Sequence, residues 1–562
     1  MPEKKNWSNR GRVKMRKLVS TILGCFALSY GSVFFVDPQN GSINNDGSSQ
    51  NPWSTLQEVI DNNKIETRQP AAYPYHWGEA LEPKNAGAPV KAGDTLLLRT
   101  GFHGEITISR CYNTDFITIA AQEGHTPGAL SLKITGACKW RVKGLEISPE
   151  FVSPYAKVSP LAVVENHNYS GPSREIFVED CFIYSLKDAS SWTMSDWDTK
   201  SCNAIGVSGT HVTIRNNHCK NVNFGISVSG DSCLIDRNTV ENFAGDGLRG
   251  LGDDETFSNN LIKNCYDVNS NHDDGFQSWS RTADGVGKGT VYRIKLIGNT
   301  IINYENPDQP FRGTLQGIGC FDGFFEDWVI KNNVIITDHW HGITLLGAFN
   351  CRIVNNTVCD LNNQNPGPPW IRIGDHKTRG SSSGCIVRNN LTTSLNSSDI
   401  GVTEDHNIII SDPTDFFVDY DALDLRLKAE CDAIDAGNES LAPSTDITGT
   451  LRPQGSGIDI GAYEYTDTAV DPTKAAGIGG HNIAFHISTC SRHMVVYLSG
   501  MRNINLTQLS LVDFQGQKVM EFVCRNRYEW HGKKAYNPGP GIYALTGVMD
   551  RTIFYRKLVV TE

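Results

Sequence analysis

Seven short stretches decide the fold: IRNNHCKNV (214–222), IDRNTVENF (235–243), FSNNLIKNC (257–265), LIGNTIINY (296–304), VIKNNVIIT (329–337), IVNNTVCDL (353–361) and VRNNLTTSL (387–395). Each places an aliphatic residue before Asn or Asn-Asn, then alternating aliphatics. The last Asn falls at 217, 238, 260, 299, 333, 356 and 390, so a unit of about 22 residues recurs and three gaps carry a dozen or more extra residues. Period-2 aliphatics rich in β-branched residues read as short strands. A strand this short buries nothing alone, but coils stacked on one another each add a rung to parallel sheets. Asn at one turn of every rung tolerates left-handed backbone and can hydrogen-bond to its neighbour on the next coil. The fold class expected is all-β: a right-handed parallel β-helix solenoid with a small C-terminal β-sandwich. A leucine-rich repeat lacks its leucines here, and a propeller needs longer units.

Outward from that core, weaker rungs run through Phe116–Ala120, Val142–Leu145 and Ile176–Cys181. The start, FFVDPQNGSINNDGSSQNPWSTLQEVID (34–61), resembles the opening of bacterial secreted β-helix proteins, which implies a capping helix near Pro52–Ile60. CDAIDAG (431–437) and DITGTLRPQGSGIDIGAYEY (446–465) resemble their closing segment. Residues 32–465 are therefore expected to form the solenoid, 466–480 a linker, and 481–562 the sandwich. LVDFQGQKVMEF (511–522) and PGPGIYALTG (538–547) resemble C-terminal sorting domains of the type IX secretion system, with a carbohydrate-binding module as the alternative. The resemblance implies secretion machinery as a partner.

Residues 1–31 read as a signal peptide: Arg10, Arg12, Lys14, Arg16 and Lys17 precede an apolar run from Leu18 to Leu28. Met15 is an alternative start, and Cys25 leaves a lipoprotein site open. The run is short for a membrane span, so a secreted or cell-surface monomer with no transmembrane segment is expected. The net charge of −11 argues against nucleic acid. Fifteen cysteines without a CxxC pair read as buried thiols stacked in a solenoid, although a secreted chain also permits disulfides.

The chemistry is expected after the Asn turns, where FGISV, DGLRG, DGFQS, QGIGC, HGITL and, more loosely, WIRIG align. The glycines at 225, 247, 275, 317 and 342 open one strand per coil. Two residues on stand Ser227, Arg249, Gln277, Gly319, Thr344 and Arg372, pointing outward if the aliphatic between points in. Asp246, Arg249, Asp273, Asp274 and Gln277 then meet on a surface stripe. Crowded carboxylates need a proton, a cation or a metal, and Asp246, Asp273 and Asp274 are hard oxygen ligands suited to Ca²⁺. Local turn bonding is the plain alternative.

Asp-Gly followed a coil later by NHDDGFQSW (271–279) resembles the calcium segment of family 9 pectate lyases. The resemblance implies Asp246, Asp273 and Asp274 as metal ligands, with Gln277 in place of a further Asp. The family's lysine base falls on Thr344 of HGITLLG (341–347). Candidates for the catalytic groups are then Arg249, His341, Arg372, Lys377 and Asp274, with Arg372 and Lys377 in PPWIRIGDHKTRG (368–380). Gln277, Trp279, Arg312, Gln316, Trp340 and Trp370 are candidates for binding sugar. The expected function is Ca²⁺-assisted β-elimination on an extracellular, uronic-acid-containing polysaccharide. Two alternatives stay open. One is a glycoside hydrolase using paired Asp, since Asp273-Asp274 and His341-Gly342 also resemble elements of family 28 polygalacturonases; the other is a glycan-binding protein without catalysis.

Overall fold

The computed structural model describes residues 31–397 and 401–466, and beyond these the backbone of seven strands between Ala484 and Val560. The chain divides into two compact units, Met1–Thr466 and Asp467–Glu562. The predicted signal segment up to residue 30 and the linker from 467 lie outside the described residues.

The first unit is a right-handed parallel β-helix. One turn shows the plan: Ile226–Val228, a bend, Leu234–Asp236, the Asn turn, Thr239–Phe243, and Leu248–Gly250 back on the row where the turn began. Each strand pairs in parallel with its counterpart on the next coil, as Ile226 does with Leu248, Leu234 with Thr256 and Thr239 with Leu261. Alternation sends residues such as Ile226 and Val228 inward on either side of an outward one. Columns such as Ile226, Leu248, Phe276, Ile318, Ile343 and Ile371 fill one continuous core from Val36 to Val387. The helix Leu56–Asp61, held by a Thr55–Glu58 capping box, closes the N-terminal end with Leu56 and Val59 buried. The twelve cysteines among the described residues are buried and free, as expected of thiols in a solenoid core.

The Asn turn splits its work between two residues. The ladder asparagines are buried, and each carries one repeated motif. Asn299 N and Nδ2 both donate to Asn333 Oδ1 (2.9 and 3.0 Å), and Asn333 does the same to Asn356 Oδ1 (3.0 and 2.9 Å). The run passes from Asn217 to Asn390 and ends one coil later than the repeats suggest, on Asn407. The left-handed backbone belongs to the residue before: Asn216, Arg237, Asn259, Gly298, Asn332, Asn355, Asn389 and His406 all have positive φ. The expectation that one Asn did both jobs is corrected accordingly.

That second row has its own partner. Asn332 Nδ2 donates to Thr445 O, Asn355 Nδ2 to Asp459 O and Asn389 Nδ2 to Asn438 O, so the closing segment 431–465 is laced to the turns. Arg452 anchors it from inside, donating to Glu464 Oε2 at 2.9 Å and to the carbonyls of Asp459 and Gly461, with both charged side chains fully buried. Ala433, Ile460 and Ala462 cover the outward residues Val334, Cys359 and Leu391.

The second unit is an antiparallel sheet of strands including Ala484–Cys490, His493–Ser499, Gly541–Met549 and Thr552–Val560. No described helix is long and apolar enough to cross a membrane.

Asn333 accepts from Asn299 and donates to Leu296 O on the coil before and to Asn356 Oδ1 on the coil after, so Asn333→Ala strands buried groups on the first and removes a donor from the second. Its expected cost is about 3 kcal/mol or more, read as a lowered urea midpoint of the full chain. Asn333→Asp, equal in shape but without the two amide donors, is expected to cost at least as much at neutral pH. A small effect for the aspartate would mean that packing, not the hydrogen-bond ladder, sets the stability.

Candidate functional site

The outward row has the register expected from the sequence. Ser227 pairs with Arg249, Arg249 with Gln277, Gln277 with Gly319, Gly319 with Thr344 and Thr344 with Arg372, on successive rungs about 4.8 Å apart. The repeated glycine before this row is required by close approach rather than by φ. A Cβ at Gly225 or Gly317 would meet the carbonyl of Gly247 or Gly342 on the next coil.

The aspartates sit differently from expectation. Asp246, Asp273 and Asp274 are not on the surface stripe: they are 2%, 7% and 0% exposed, beneath it. Asp246 and Asp273 precede the outward strand, and Asp274 is its first residue. What reaches the surface is what they hold. Asp246 Oδ2 accepts from Arg249 Nε in a short ion pair, and Asp246 Oδ1 accepts from Asp274 N at 3.2 Å. Asp274 Oδ2 accepts from Gln277 Nε2 at 2.8 Å and lies 3.4 Å from His272 Nδ1. Gln316 Nε2 lies 3.2 Å from His272 Nε2. The Arg249 guanidinium is sandwiched between Phe224 and Trp279, 3.8 and 5.3 Å from the ring centroids.

Burial, then mutual repulsion, pushes Asp273 up to about 8 and Asp274 well above the carboxylate range; burial outweighs Arg249 at Asp246 and raises it too. The cluster therefore shares protons and the three do not ionise together at neutral pH.

The donor chemistry suits calcium, and Asp273 Oδ1 and Asp274 Oδ1 are buried without a hydrogen-bond partner. However, Arg249 already occupies Asp246, Gln277 turns its NH₂ toward Asp274, and Asp274 Oδ1 is packed against Gly319, where a Cβ would fill the space. Among the described residues no group of three or more His, Cys, Asp or Glu is arranged to hold a metal ion. As placed, the residues do not fit the ion.

A second network lies on the following rungs. Trp370 Nε1 donates to Thr344 Oγ1 at 3.0 Å, and the same hydroxyl lies 2.9 Å from His341 Nδ1. Burial, then His339, Arg372 and His272, lowers His341 to about 4, so it is neutral at pH 7. Trp340, 45% exposed, stacks near Trp370 at 6.3 Å, and the Arg372 guanidinium lies 5.7 Å from the Trp370 ring. Phe321 joins the two networks, at 6.3 Å from His272 and 4.7 Å from His341. Lys377 reaches over Phe321 to Asp322 Oδ1 at 2.9 Å.

Arg312 is placed apart from these contacts, over Tyr304 at 5.0 Å. Nothing in the sequence assigned a role to His339, Phe321 or Thr344, and His272 stood without one inside NHDDGFQSW. The signal for His272 was its place in NHDDG, one residue before the acidic pair.

The family described as a right handed beta helix region matches residues 200–368. No curated protein matches the chain. Among solved structures, pectate lyase Pel9A is 15% identical, covering 78% of this chain and 98% of that one, with a TM-score of 0.38. XylC in complex with xylose is 9% identical over 93% of this chain and 100% of that one, TM-score 0.40. The Azotobacter vinelandii mannuronan C-5 epimerase AlgE6 A-module is 12% identical over 56% of this chain and 85% of that one, TM-score 0.40. Overlaps this loose carry no chemistry across.

The raised Asp273 makes a pH prediction. Unfolded, the carboxyl ionises near 3.8; folded, it keeps its proton to about 8. The native state thus binds more protons between those values, and stability falls as pH rises through the window, by on the order of a few kcal/mol once Asp273 is ionised. Asp273→Asn is expected to match the wild type near pH 4 and to exceed its Tm at pH 8 and above. Parallel Tm–pH curves for the two proteins would contradict the assignment.

Proposed function

We propose that this chain is a secreted carbohydrate-active enzyme that cleaves a uronic-acid-containing polysaccharide by β-elimination. One observation carries the reading: the three aspartates are buried, and the groups they hold at the surface are a guanidinium and an imidazole. A glycoside hydrolase needs two carboxyls in reach of the glycosidic oxygen. β-Elimination needs a cation for the uronate carboxylate and a base for the proton α to it, which is what Arg249 and His272 offer.

In this reading the Gln316 amide marks His272 Nε2 as the acceptor, and the imidazole is steadied by Asp274 from below. Nε2 takes the proton from C5 of the uronate. The electron pair forms the C4–C5 double bond, the C4–O bond breaks, and the departing oxygen takes a proton from the imidazolium or water. Arg249 and the N–H of the His341 imidazole hold the carboxylate while charge builds on it. Arg372 supplies positive charge further along the row. An imidazolium at His272 also relieves the crowded carboxyls beneath it, so proton uptake by the base is coupled to their ionisation. Trp340 and Trp370 offer ring faces to neighbouring sugars.

The test is incubation with a panel of acidic and neutral polysaccharides, reading unsaturated product by ultraviolet absorbance and reducing ends separately. His272→Ala is expected to lower kcat at least about 100-fold. Reducing ends without unsaturation would move the assignment to a hydrolase, and neither signal would favour glycan binding alone. A chelator arm separates this version from the calcium-assisted one: turnover that survives chelation belongs to the cation and imidazole, and turnover abolished by it restores calcium to Asp273 and Asp274. Truncation before Ala475 is expected to leave turnover on dissolved substrate intact, as befits a C-terminal unit used for export or attachment.

A further inference from the structure

The groove row carries the same loop twice. After the strand Ala162–Glu165 the chain reads NHNYSGPS (166–173), and after Trp370–Gly374 it reads DHKTRGSS (375–382). Only His, Gly and the last Ser agree, yet the hydrogen bonds coincide. His167 and Gly171 form an isolated antiparallel bridge, as do His376 and Gly380, and both glycines have positive φ. His167 Nδ1 accepts from Tyr169 N at 3.2 Å, and His376 Nδ1 from Thr378 N at 3.1 Å. Asn166 Oδ1 accepts from Ser173 N, and Asp375 Oδ1 from Ser382 N. Ser173 Oγ and Ser382 Oγ each donate to the carbonyl at the end of the preceding strand, Glu165 and Gly374.

Each copy also holds down a hairpin from elsewhere. His376 Nε2 meets Gly287 O, beside the hairpin Arg281–Val286; Tyr169 O accepts from Tyr75 N, in the tip between Thr67–Pro70 and Leu81–Lys84. The two copies stand seven rungs apart on one row, roughly 34 Å at about 4.8 Å per rung.

The C-terminal copy delivers Lys377 to Phe321, inside the site. The N-terminal copy delivers an aromatic patch instead. Tyr169, 50% exposed, stacks on Tyr73 at 5.2 Å; Arg110 lies over Tyr73 at 5.3 Å; and Trp77 at the hairpin tip is 91% exposed. Exposed aromatic faces beside a guanidinium suit sugar rings bearing carboxylates.

We propose that Trp77, Tyr169, Tyr73 and Arg110 form a remote subsite for the same acidic polysaccharide. It lies four rungs, about 19 Å, from the rung of Asp274, so a chain running along the solenoid axis reaches both. The proposal rests on the reading of the groove as the face that binds a uronate polymer. Its consequence is selectivity for long chains: binding energy gained far from the scissile bond is available only to a substrate that spans the rungs between.

The experiment uses the full chain and the Trp77→Ala/Tyr169→Ala double variant, with affinity electrophoresis in a uronate polymer and turnover on polymer and trisaccharide. The double variant is expected to bind polymer at least about tenfold more weakly and to lose kcat/KM on polymer by a similar factor, with trisaccharide turnover unchanged. Tyr169→Phe, which keeps the stack, is expected to behave as wild type. Polymer binding equal to wild type in the double variant, or a wild type that binds no acidic polymer, overturns the subsite. A wild type that binds polymer through these residues but yields no unsaturated product keeps the subsite and removes the elimination chemistry, so the two readings fail separately.

Discussion

Each ladder asparagine spends its side chain on the coil before it and the coil after it, in a core that offers no water to replace either bond. A solenoid has no long-range contacts to fix its pitch; each coil knows only its neighbours. The Asn299–Asn333–Asn356 sequence of paired bonds sets the rise and phase of every coil at one corner. With that corner fixed, insertions of any length leave and return without disturbing the register. The 39-residue step from Asn260 to Asn299 keeps the same 3.0 and 2.9 Å pair as the 22-residue step before it does at 2.9 and 3.0 Å. The outward row inherits this order, which is why Arg249, Gln277, Gly319, Thr344 and Arg372 line up although the loops between them differ widely in length.

The same constraint explains how much could be read in advance. Strand period and Asn spacing are local, so the rungs and the outward register were legible residue by residue. Burial of the aspartates was not. Asp246 and Asp273 precede their strands, where alternation says nothing about which side of the sheet a residue faces; Asp274, by contrast, opens its strand two residues before the inward Phe276. His272 was visible as a letter next to two acids, but its bond to Gln316 joins residues 44 positions apart. The paired loops were hidden for a different reason: their identity lies in backbone bonds and only three shared side chains. The first Asn of the pairs at 332, 355 and 389 was visible but had no separate role in the sequence, because its partner, the closing segment, lies up to 113 residues away.

Three crowded acids under a surface are costly, and the cost falls if positive charge is kept close above them. Arg249 is fixed by Asp246 from below and by Phe224 and Trp279 on its faces, so it enters the groove already oriented. A guanidinium held this way loses little further freedom when it meets a carboxylate. His341 is prepared in the opposite sense, stripped of charge by burial and held in place by Thr344, which Trp370 holds in turn. Where the lyase family it resembles would place a lysine, this chain has Thr344, whose hydroxyl orients a neighbour instead of acting itself.

The two rows of asparagine also decide which face of the solenoid is open. The left-handed row at Asn332, Asn355 and Asn389 binds the closing segment, which seals the outward residues of one sheet under Ala433, Ile460 and Ala462. That face is spent on stability. The row carrying Arg249, Gln277 and Arg372 keeps those side chains part-exposed, while Gly319 and Thr344 between them are buried, and the two histidine loops follow its strands. The two histidine loops then act as fixed posts, each fastened by Asn or Asp, His and Ser to its own strand end and free to hold a hairpin by one contact. A wall built from such posts takes its spacing from the rungs, so any ligand it serves must extend along the axis, across the strands. A linear polymer meets that requirement; a compact small molecule would leave most of the row unused.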